Sequence, residues 1–326
     1  MRECHDRNQE TFPMSQTPAY PMQGHASAQE RFMAALASGR LHHGWIVEGP
    51  SGIGKSLFVR RLAAHILGAA SPDAGLGDPV MQKVAAGSHP DLKWVTLELN
   101  EKGQLRKDIS VDQVRGLNHF FSLRPGLSGW RVGVIDAIDQ SNRSGMNALL
   151  KTLEEPPDRS ILFLINHGSI QILPTLKSRC QTLRLSRLDD DQTSAILAAH
   201  EALDPMLVKA SMGRPGYGLD ILEKGGLDAI RSAQALLQSL RQPKSQTAAV
   251  ALAAAGQSEA ALSIFTDMVL GWVALQAETD PRYGKVWLDL HEVRAVSKEL
   301  ALTPIQAATK LYSVLQLGLK SNEEVS

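Results

Sequence analysis

Apolar and amphipathic segments alternate through the first 186 residues of the chain. Runs of mainly apolar residues predict buried strands over 45–47, 93–99, 130–136, 160–165 and 181–185. Apolar residues at helical spacing predict helices between them, over 26–38, 55–67, 111–123 and 144–155. Pro156 and Pro157 end the last helix, because proline lacks the N–H that a helix needs. Apolar strands separated by helices predict an α/β fold with a parallel sheet covered on both faces.

Strand signals disappear after Arg187, and only helical patterns follow. Short helices are predicted over 189–200, 205–211 and 218–223, and alanine- and leucine-rich helices run from 226 almost to the end. These patterns divide the chain into a flexible polar tail (1–22), an α/β domain (23–186), a small helical unit (187–228) and a larger helical domain (229–326).

Charge, cysteine content and the lack of long apolar runs argue against several classes of protein. The 34 basic and 34 acidic residues cancel, which argues against a dedicated nucleic-acid binder because phosphate affinity needs uncompensated Lys and Arg. Cys4 and Cys180 are too few for a disulfide framework or a four-thiolate zinc site. The sequence shows neither an N-terminal signal pattern nor a run of eighteen apolar residues. A cytoplasmic protein without membrane contact is expected.

The segment GPSGIGKS (49–56) contains every fixed position of the phosphate-binding P-loop. Gly49, Gly52 and Gly54 let backbone N–H groups turn toward a phosphate. Lys55 is then placed to neutralise the β- and γ-phosphates, and Ser56 to hold Mg²⁺ when ATP is bound. The strand before the loop and the helix after it are the required context. ATP binding is predicted; the alternative is a vestigial loop that keeps its shape and holds no nucleotide.

The predicted strand 130–136 ends in Asp136, the position of the acid that reaches Mg²⁺ in P-loop ATPases. An ordinary strand-end aspartate that caps a turn is the alternative. The next residue is Ala137, whereas ATPases of the AAA+ class normally have a glutamate there that polarises the attacking water. Loss of a general base typically costs about 10²–10⁴ in rate. Slow hydrolysis or none is therefore expected.

Over residues 23–326 the sequence resembles bacterial clamp-loader subunits of the AAA+ class. The resemblance is carried by GRLHHGWIVEGPSGIGKS (39–56), GSHPDL (87–92), DISVDQVRGL (108–117), MNALLKTLEEPP (146–157) and LPTLKSRCQTLRL (173–185). The string ALLKTLEEPP with SRC downstream is highly specific. Within the family, DISVDQVR and the alanine after Asp136 are similar to the delta prime branch rather than to the gamma/tau motor subunits.

The resemblance implies a AAA+ nucleotide-binding module over 23–186, a three-helix lid over 187–228 and a collar over 229–326 through which subunits assemble. The implied partners are gamma/tau and delta clamp-loader subunits and, through the complex, the β sliding clamp and primed DNA. Such a complex serves the DNA polymerase III holoenzyme during replication, with polymerase chemistry in other chains.

Two further site residues come from the resemblance alone. Arg179 falls on the family's arginine finger, whose cation enters the neighbouring gamma/tau nucleotide site and is worth about 10³–10⁵ in rate. Asn166 falls on the polar sensor of the γ-phosphate, although a simple turn residue after a strand fits equally. Cys180 is interpreted as a small buried residue and not as a nucleophile.

The chain departs from the family pattern at three places. Ala137 replaces the catalytic acid. Gly216 occupies the lid position, three residues after Gly213, where motor subunits carry a phosphate-sensing arginine; Arg214 is nearby. The family's four-cysteine zinc module would fall within 68–86, which contains no cysteine, so no zinc is predicted.

The leading hypothesis is a clamp-loader subunit with little or no ATPase activity of its own that supplies Arg179 to its neighbour. The alternative is a catalytically active motor subunit like gamma/tau, which ATP turnover by the isolated chain would favour. A P-loop kinase or an unrelated nucleotide switch would fit 49–56, but neither accounts for SRC or the long helical C-terminal part.

Overall fold

The computed structural model describes residues 22–100, 103, 106, 108–168, 171–240 and 245–323. The chain divides between Leu188 and Asp189 into two compact units. The tail predicted over 1–22 lies outside the described residues, except for Met22. The backbone N–H of Met22 donates to the Asp73 carboxylate.

The first unit is a five-stranded sheet with helices on both faces. Its elements in chain order are α1 (Ala26–Ala37), β1 (Gly44–Glu48), α2 (Lys55–Ile66), α3 (Pro79–Ala85), β2 (Leu92–Val95), α4 (Val111–Ser122), β3 (Arg131–Asp136), a 3₁₀ helix (Ile138–Gln140), α5 (Arg143–Ala148), α6 (Leu150–Glu154), β4 (Ser160–Asn166), α7 (Pro174–Lys177) and β5 (Gln181–Arg184). The strands lie in the order β2-β3-β4-β1-β5, and every neighbouring pair is parallel. The predicted α/β fold is confirmed.

Both faces of the sheet are apolar, because successive side chains of a strand point to opposite sides. Trp45 and Val47 of β1 belong to the core that contains Phe58 of α2. Ile46, between them, belongs to a second core with Leu117 of α4. A strand buried on both sides has no polar positions to alternate, which explains its continuous apolar run.

The strand predicted over 93–99 is shorter in the structure. β2 lies at an edge of the sheet, and its last pair with β3 joins Val95 to Ile135. β3 ends one residue later, at Asp136. The apolar pattern of the sequence therefore continues past the point where strand pairing ends.

The single helix predicted over 144–155 is two helices, α5 and α6. They are interrupted at Leu149, whose N–H donates to the carbonyl of Met146, three residues back instead of four. Leu149 is fully buried. Apolar spacing persists through such a tightened turn, so the sequence pattern gives no sign of the interruption.

Asp91 fixes the loop that leads into β3. Its fully buried carboxylate accepts hydrogen bonds from the backbone N–H groups of Gly126 (2.5 Å), Leu127 (2.8 Å) and Ser128 (2.9 Å). The Ser128 hydroxyl donates a fourth, at 3.2 Å. Burial alone would raise the pKa of Asp91, but the hydrogen bonds outweigh it and hold the pKa below its ordinary value.

We expect Asp91→Asn to lower the free energy of unfolding by about 2–4 kcal/mol at pH 7, because a neutral amide accepts these hydrogen bonds less strongly. The pKa of Asp91 is lower in the folded chain than its unfolded value of about 3.9. The carboxylate's contribution is therefore complete above about pH 5 and is lost as the pH falls through the folded-state pKa.

Urea unfolding of both proteins at pH 7 and pH 3 measures this difference, which should shrink at pH 3. Asp112→Asn is the matched control: its carboxylate is exposed, and the change should stay below about 0.5 kcal/mol. Equal destabilisation by Asp91→Asn at both pH values would contradict a role for the charge.

The second unit is helical throughout its described residues. Its helices are α8 (Asp190–Ala199), α9 (Pro205–Ser211), α10 (Pro215–Glu223), α11 (Leu227–Ser239), α12 (Ser245–Ala255), α13 (Glu259–Thr279), α14 (Arg282–Glu299) and α15 (Pro304–Glu323). α11 takes part in two apolar clusters, Ile230 in one with Leu197 of α8 and Leu236 in one with Leu311 of α15. The boundary predicted at residue 228 between lid and collar stays a prediction.

Among the described helices, α13 alone is long and apolar enough to cross a membrane by length and composition. In the fold, Phe265, Val269 and Val273 of α13 are buried in the core of the second unit. Apolar side chains on a core helix account for its hydropathy.

Candidate functional site

The P-loop lies between the end of β1 and the start of α2, as the sequence predicts. A Cβ on Gly49 would lie 2.5 Å from the carbonyl oxygen of Leu185, so this position needs glycine for close approach to the backbone. Gly52 and Gly54 have φ of +81° and +96°, in the left-handed region. The helix that follows presents its first N–H groups to any phosphate held in the loop.

Lys55 is buried against the loop that precedes it. It is 2% exposed, and its Nζ donates to the carbonyls of Gly49 (2.8 Å) and Pro50 (2.7 Å). Burial lowers the pKa of Lys55 to about 8, while the carboxylates of Asp136 and Asp139 act in the opposite direction. A poorly hydrated ammonium gains strongly from a nearby anion, which a nucleotide phosphate would supply.

Asp136 is the last residue of β3. The parallel strands β3 and β1 end on the same side of the sheet, so the acid and the P-loop lie at the carboxyl end of the strands, where ligands bind in such folds. Ser56 lies in the first turn of α2. Ala137 follows Asp136 in a left-handed conformation, with φ +70°, and is 8% exposed. Its methyl group offers no acceptor to an attacking water.

Asn166 is the last residue of β4 and lies beside Glu48 of β1 in the parallel register. Its Oδ1 accepts a hydrogen bond from the N–H of Gly168 at 2.9 Å. Asn166 therefore stabilises the turn after β4, which was the alternative interpretation of this residue in the sequence. The sensor role, which would use the amide nitrogen, stays a prediction.

Two histidines that the sequence did not indicate contact residues of this site. His167 follows Asn166, and its Nε2 lies 3.3 Å from Oδ1 of Asp136. His25 precedes α1, and its Nε2 lies 3.0 Å from the carbonyl oxygen of Ile53 in the P-loop. These contacts join residues that lie 31 and 28 positions apart, and neither histidine belongs to a sequence motif.

Arg179 lies at the surface between α7 and β5. Its Nη2 is 2.8 Å from Oε1 of Glu154, and its Nη1 donates to the carbonyl of Thr175 at 3.0 Å. The side chains of Arg179 and Glu154 are 37% and 51% exposed. A solvent-exposed pair of this kind contributes about 0–1 kcal/mol, so the guanidinium can exchange its partner at little cost.

Contacts within the fold account for Cys180 and for His65 and His89, the two histidines that flank the segment 68–86. Burial raises the pKa of the Cys180 thiol to about 12, which keeps it protonated and unreactive. His65 Nδ1 lies 3.0 Å from the carbonyl oxygen of Ala69, and His89 Nδ1 accepts from the N–H of Asp91. The described residues contain no group of three or more His, Cys, Asp or Glu able to hold a metal ion. The absence of zinc stays a prediction.

In the second unit, Arg214 immediately precedes α10. Its guanidinium carbon lies 4.1 Å from the centre of the Tyr217 ring, a cation–π contact. The Tyr217 hydroxyl donates to Asp267 at 2.9 Å. Gly216, at the predicted sensing position, is the second residue of α10.

The chain matches a protein family over residues 24–189, and that family is described as DNA polymerase III, delta subunit. It is 40% identical over 140 residues to DNA polymerase III subunit delta' of Pseudomonas aeruginosa, covering 42% of this chain and 41% of that protein. It is 29% identical over 192 residues to subunit delta' of Haemophilus influenzae, covering 57% of each. The chain spans about half the length of these relatives.

A DNA polymerase III subunit tau of Escherichia coli is 29% identical over 216 residues, covering 64% of this chain and 31% of that protein. Among solved structures, the RuvB Holliday junction branch migration motor of Thermotoga maritima aligns with a TM-score of 0.43 and 15% identity. That alignment covers 90% of this chain and 87% of the other.

Proposed function

Because the chain belongs to the family described as DNA polymerase III, delta subunit, we propose that it works as the delta prime subunit of a bacterial sliding-clamp loader. Its partners are then gamma/tau and delta subunits in the cytoplasm, and with them it loads the β clamp onto primed DNA. One combination of residues carries the proposal: the P-loop is intact but Asp136 is followed by Ala137, while Arg179 is partly exposed at the surface. The chain is equipped to serve a neighbour's nucleotide and poorly equipped to cleave its own.

In this proposal the pocket of the chain binds ATP without cleaving it efficiently. The hydroxyl of Ser56 and the carboxylate of Asp136 are the oxygen ligands that Mg²⁺ prefers, so the donor set fits this ion. Bound there, Mg²⁺ would neutralise phosphate charge. Lys55 would exchange its two loop carbonyls for phosphate oxygens. Ala137 offers no base, and Gly216 stands at the lid position where motor subunits carry a phosphate-sensing arginine.

Arg179 would act on the nucleotide of the adjacent gamma/tau subunit. In the single chain its guanidinium is held by Glu154 and Thr175. Phosphate oxygens at a subunit boundary are less hydrated than an exposed carboxylate, and a planar guanidinium binds them with two parallel hydrogen bonds. Transfer of Arg179 from Glu154 to phosphate is therefore favourable once a neighbour is in place.

The alternative is a gamma/tau-like motor, which the intact Lys55, Ser56 and Asp136 favour. A motor must activate water in its own pocket, and the residue after Asp136 is the position from which AAA+ ATPases do so. Steady ATP turnover by the purified chain would support the motor. Tight nucleotide binding without turnover would support the delta prime role.

Reconstitution tests the proposal directly. The chain is mixed with gamma/tau and delta subunits of the same organism, and the complex is isolated by gel filtration. Loading of a labelled β clamp onto primed circular DNA is then measured with and without the chain. We expect co-elution and clamp loading that depends on the chain. Equal loading in its absence would contradict the proposed function.

A further inference from the structure

His167 contacts the acid that would reach the magnesium ion. Its Nε2 lies 3.3 Å from Oδ1 of Asp136, and the two side chains are 27% and 16% exposed. The contact follows from the sheet: β3 and β4 are parallel neighbours in which Asp136 pairs with Ile165. Two residues beyond that pair, the chain leaves β4 and brings the imidazole over the end of β3.

Two hydrogen bonds brace the turn that carries this imidazole. The backbone N–H of His167 donates to Oδ1 of Asp139 at 3.1 Å, and Asp139 is buried in the 3₁₀ helix after β3. The N–H of Gly168 donates to Oδ1 of Asn166 at 2.9 Å. The first bond ties the end of β4 to the helix after β3, and the second closes the turn around His167. Together they limit the movement of the imidazole away from Asp136.

A magnesium ion, or a water bound to it, needs an Asp136 oxygen that is also free to turn toward the phosphates. An imidazole N–H that donates to this oxygen competes for the same lone pairs. Ala137 offers no carboxylate to replace Asp136, and Oδ1 of Asp139, in the 3₁₀ helix that follows, already accepts a hydrogen bond from the N–H of His167. His167, the residue that follows β4, therefore competes with the metal ion for the Asp136 carboxylate.

We propose that His167 is a latch on Asp136 that weakens the binding of Mg²⁺, so that this chain holds a nucleotide with little help from the metal. The inference rests on the proposed nucleotide binding and deepens it. With Mg²⁺ bound weakly, metal and phosphate are not brought together as cleavage requires. The nucleotide then stabilises the chain as a bound ligand and is not a substrate.

The test measures binding of a fluorescent ATP analogue to the full chain with Mg²⁺ and with EDTA. For the natural chain we expect the two affinities to agree within about threefold. His167→Ala should raise the ratio of the affinity with Mg²⁺ to that with EDTA by about fivefold, which corresponds to about 1 kcal/mol for losing a partly exposed contact. His167→Phe, which keeps a ring without a donor, should behave like His167→Ala.

His119→Ala is the matched control, since His119 is exposed at the end of α4, and it should leave the ratio unchanged. A second measurement needs no nucleotide: binding of Mn²⁺ alone, followed by the electron paramagnetic resonance of the free ion. His167→Ala should tighten Mn²⁺ binding, and adding Asp136→Asn should abolish the gain. This arm separates failure of the latch from failure of nucleotide binding.

Two results would overturn the latch. If the imidazole were itself a metal ligand, His167→Ala would weaken Mn²⁺ binding. If His167 did not compete with the metal, Mn²⁺ affinity would be the same in the natural chain and in His167→Ala.

Discussion

Arg179→Ala is expected to leave assembly with gamma/tau and delta intact and to lower ATP turnover at the adjacent gamma/tau site by about 10³-fold or more. The loss follows from the chemistry of phosphoryl transfer, in which a planar cation stabilises charge that develops on the phosphate oxygens. In the single chain this guanidinium contacts Glu154 and Thr175 only through exposed, exchangeable bonds. Removing it therefore costs the chain itself little stability.

The measurement is DNA-dependent ATP hydrolysis by the reconstituted complex in single turnover, with assembly checked by gel filtration. Arg184→Ala is the matched control, because Arg184 is an exposed arginine on the next strand with a 3.6 Å contact to Glu48. Arg179→Lys keeps the charge but loses the planar fork, and should recover only part of the rate. Unchanged turnover in Arg179→Ala would remove the basis for a finger.

Lys55→Ala is expected to weaken nucleotide binding by this chain by about 100-fold while leaving clamp loading by the complex largely intact. The affinity loss reflects a charge-assisted contact with the phosphates worth about 2–3 kcal/mol. Loading persists because, in the proposed role, hydrolysis takes place in the neighbouring subunits. Binding is measured by titration calorimetry with ATP, and loading with labelled β clamp on primed DNA.

Lys83→Ala, which removes an exposed lysine of α3, is the control for Lys55→Ala. A thermal melt must accompany the assay, because Lys55 is buried and bonded to two loop carbonyls. Complete loss of loading by a folded variant would show that this P-loop has a larger part than structural binding. Rapid ATP cleavage by the isolated natural chain would instead favour the gamma/tau-like alternative.

Site residues whose motif lies within one short segment of the chain could be predicted from the sequence. All residues of the P-loop motif, namely its glycines, Lys55 and Ser56, lie in one continuous strand–loop–helix segment, so the sequence alone identifies them. Asp136 and Ala137 follow from a buried strand and the residue after it. The parallel sheet follows from strands that are apolar on both faces, as Trp45, Ile46 and Val47 show.

Contacts between distant segments were decided only by the tertiary structure. His167 meets Asp136 because β4 lies beside β3 in one register, and Arg179 meets Glu154 because α7 and β5 return to the end of α6. The interruption at Leu149 was likewise visible only in the structure, since apolar spacing continues unbroken through it. Side-chain periodicity records which face of an element is buried and carries no information about which element covers it. Strand order and register supply that information for Asp136 and His167, and the return of the chain past α6 supplies it for Arg179.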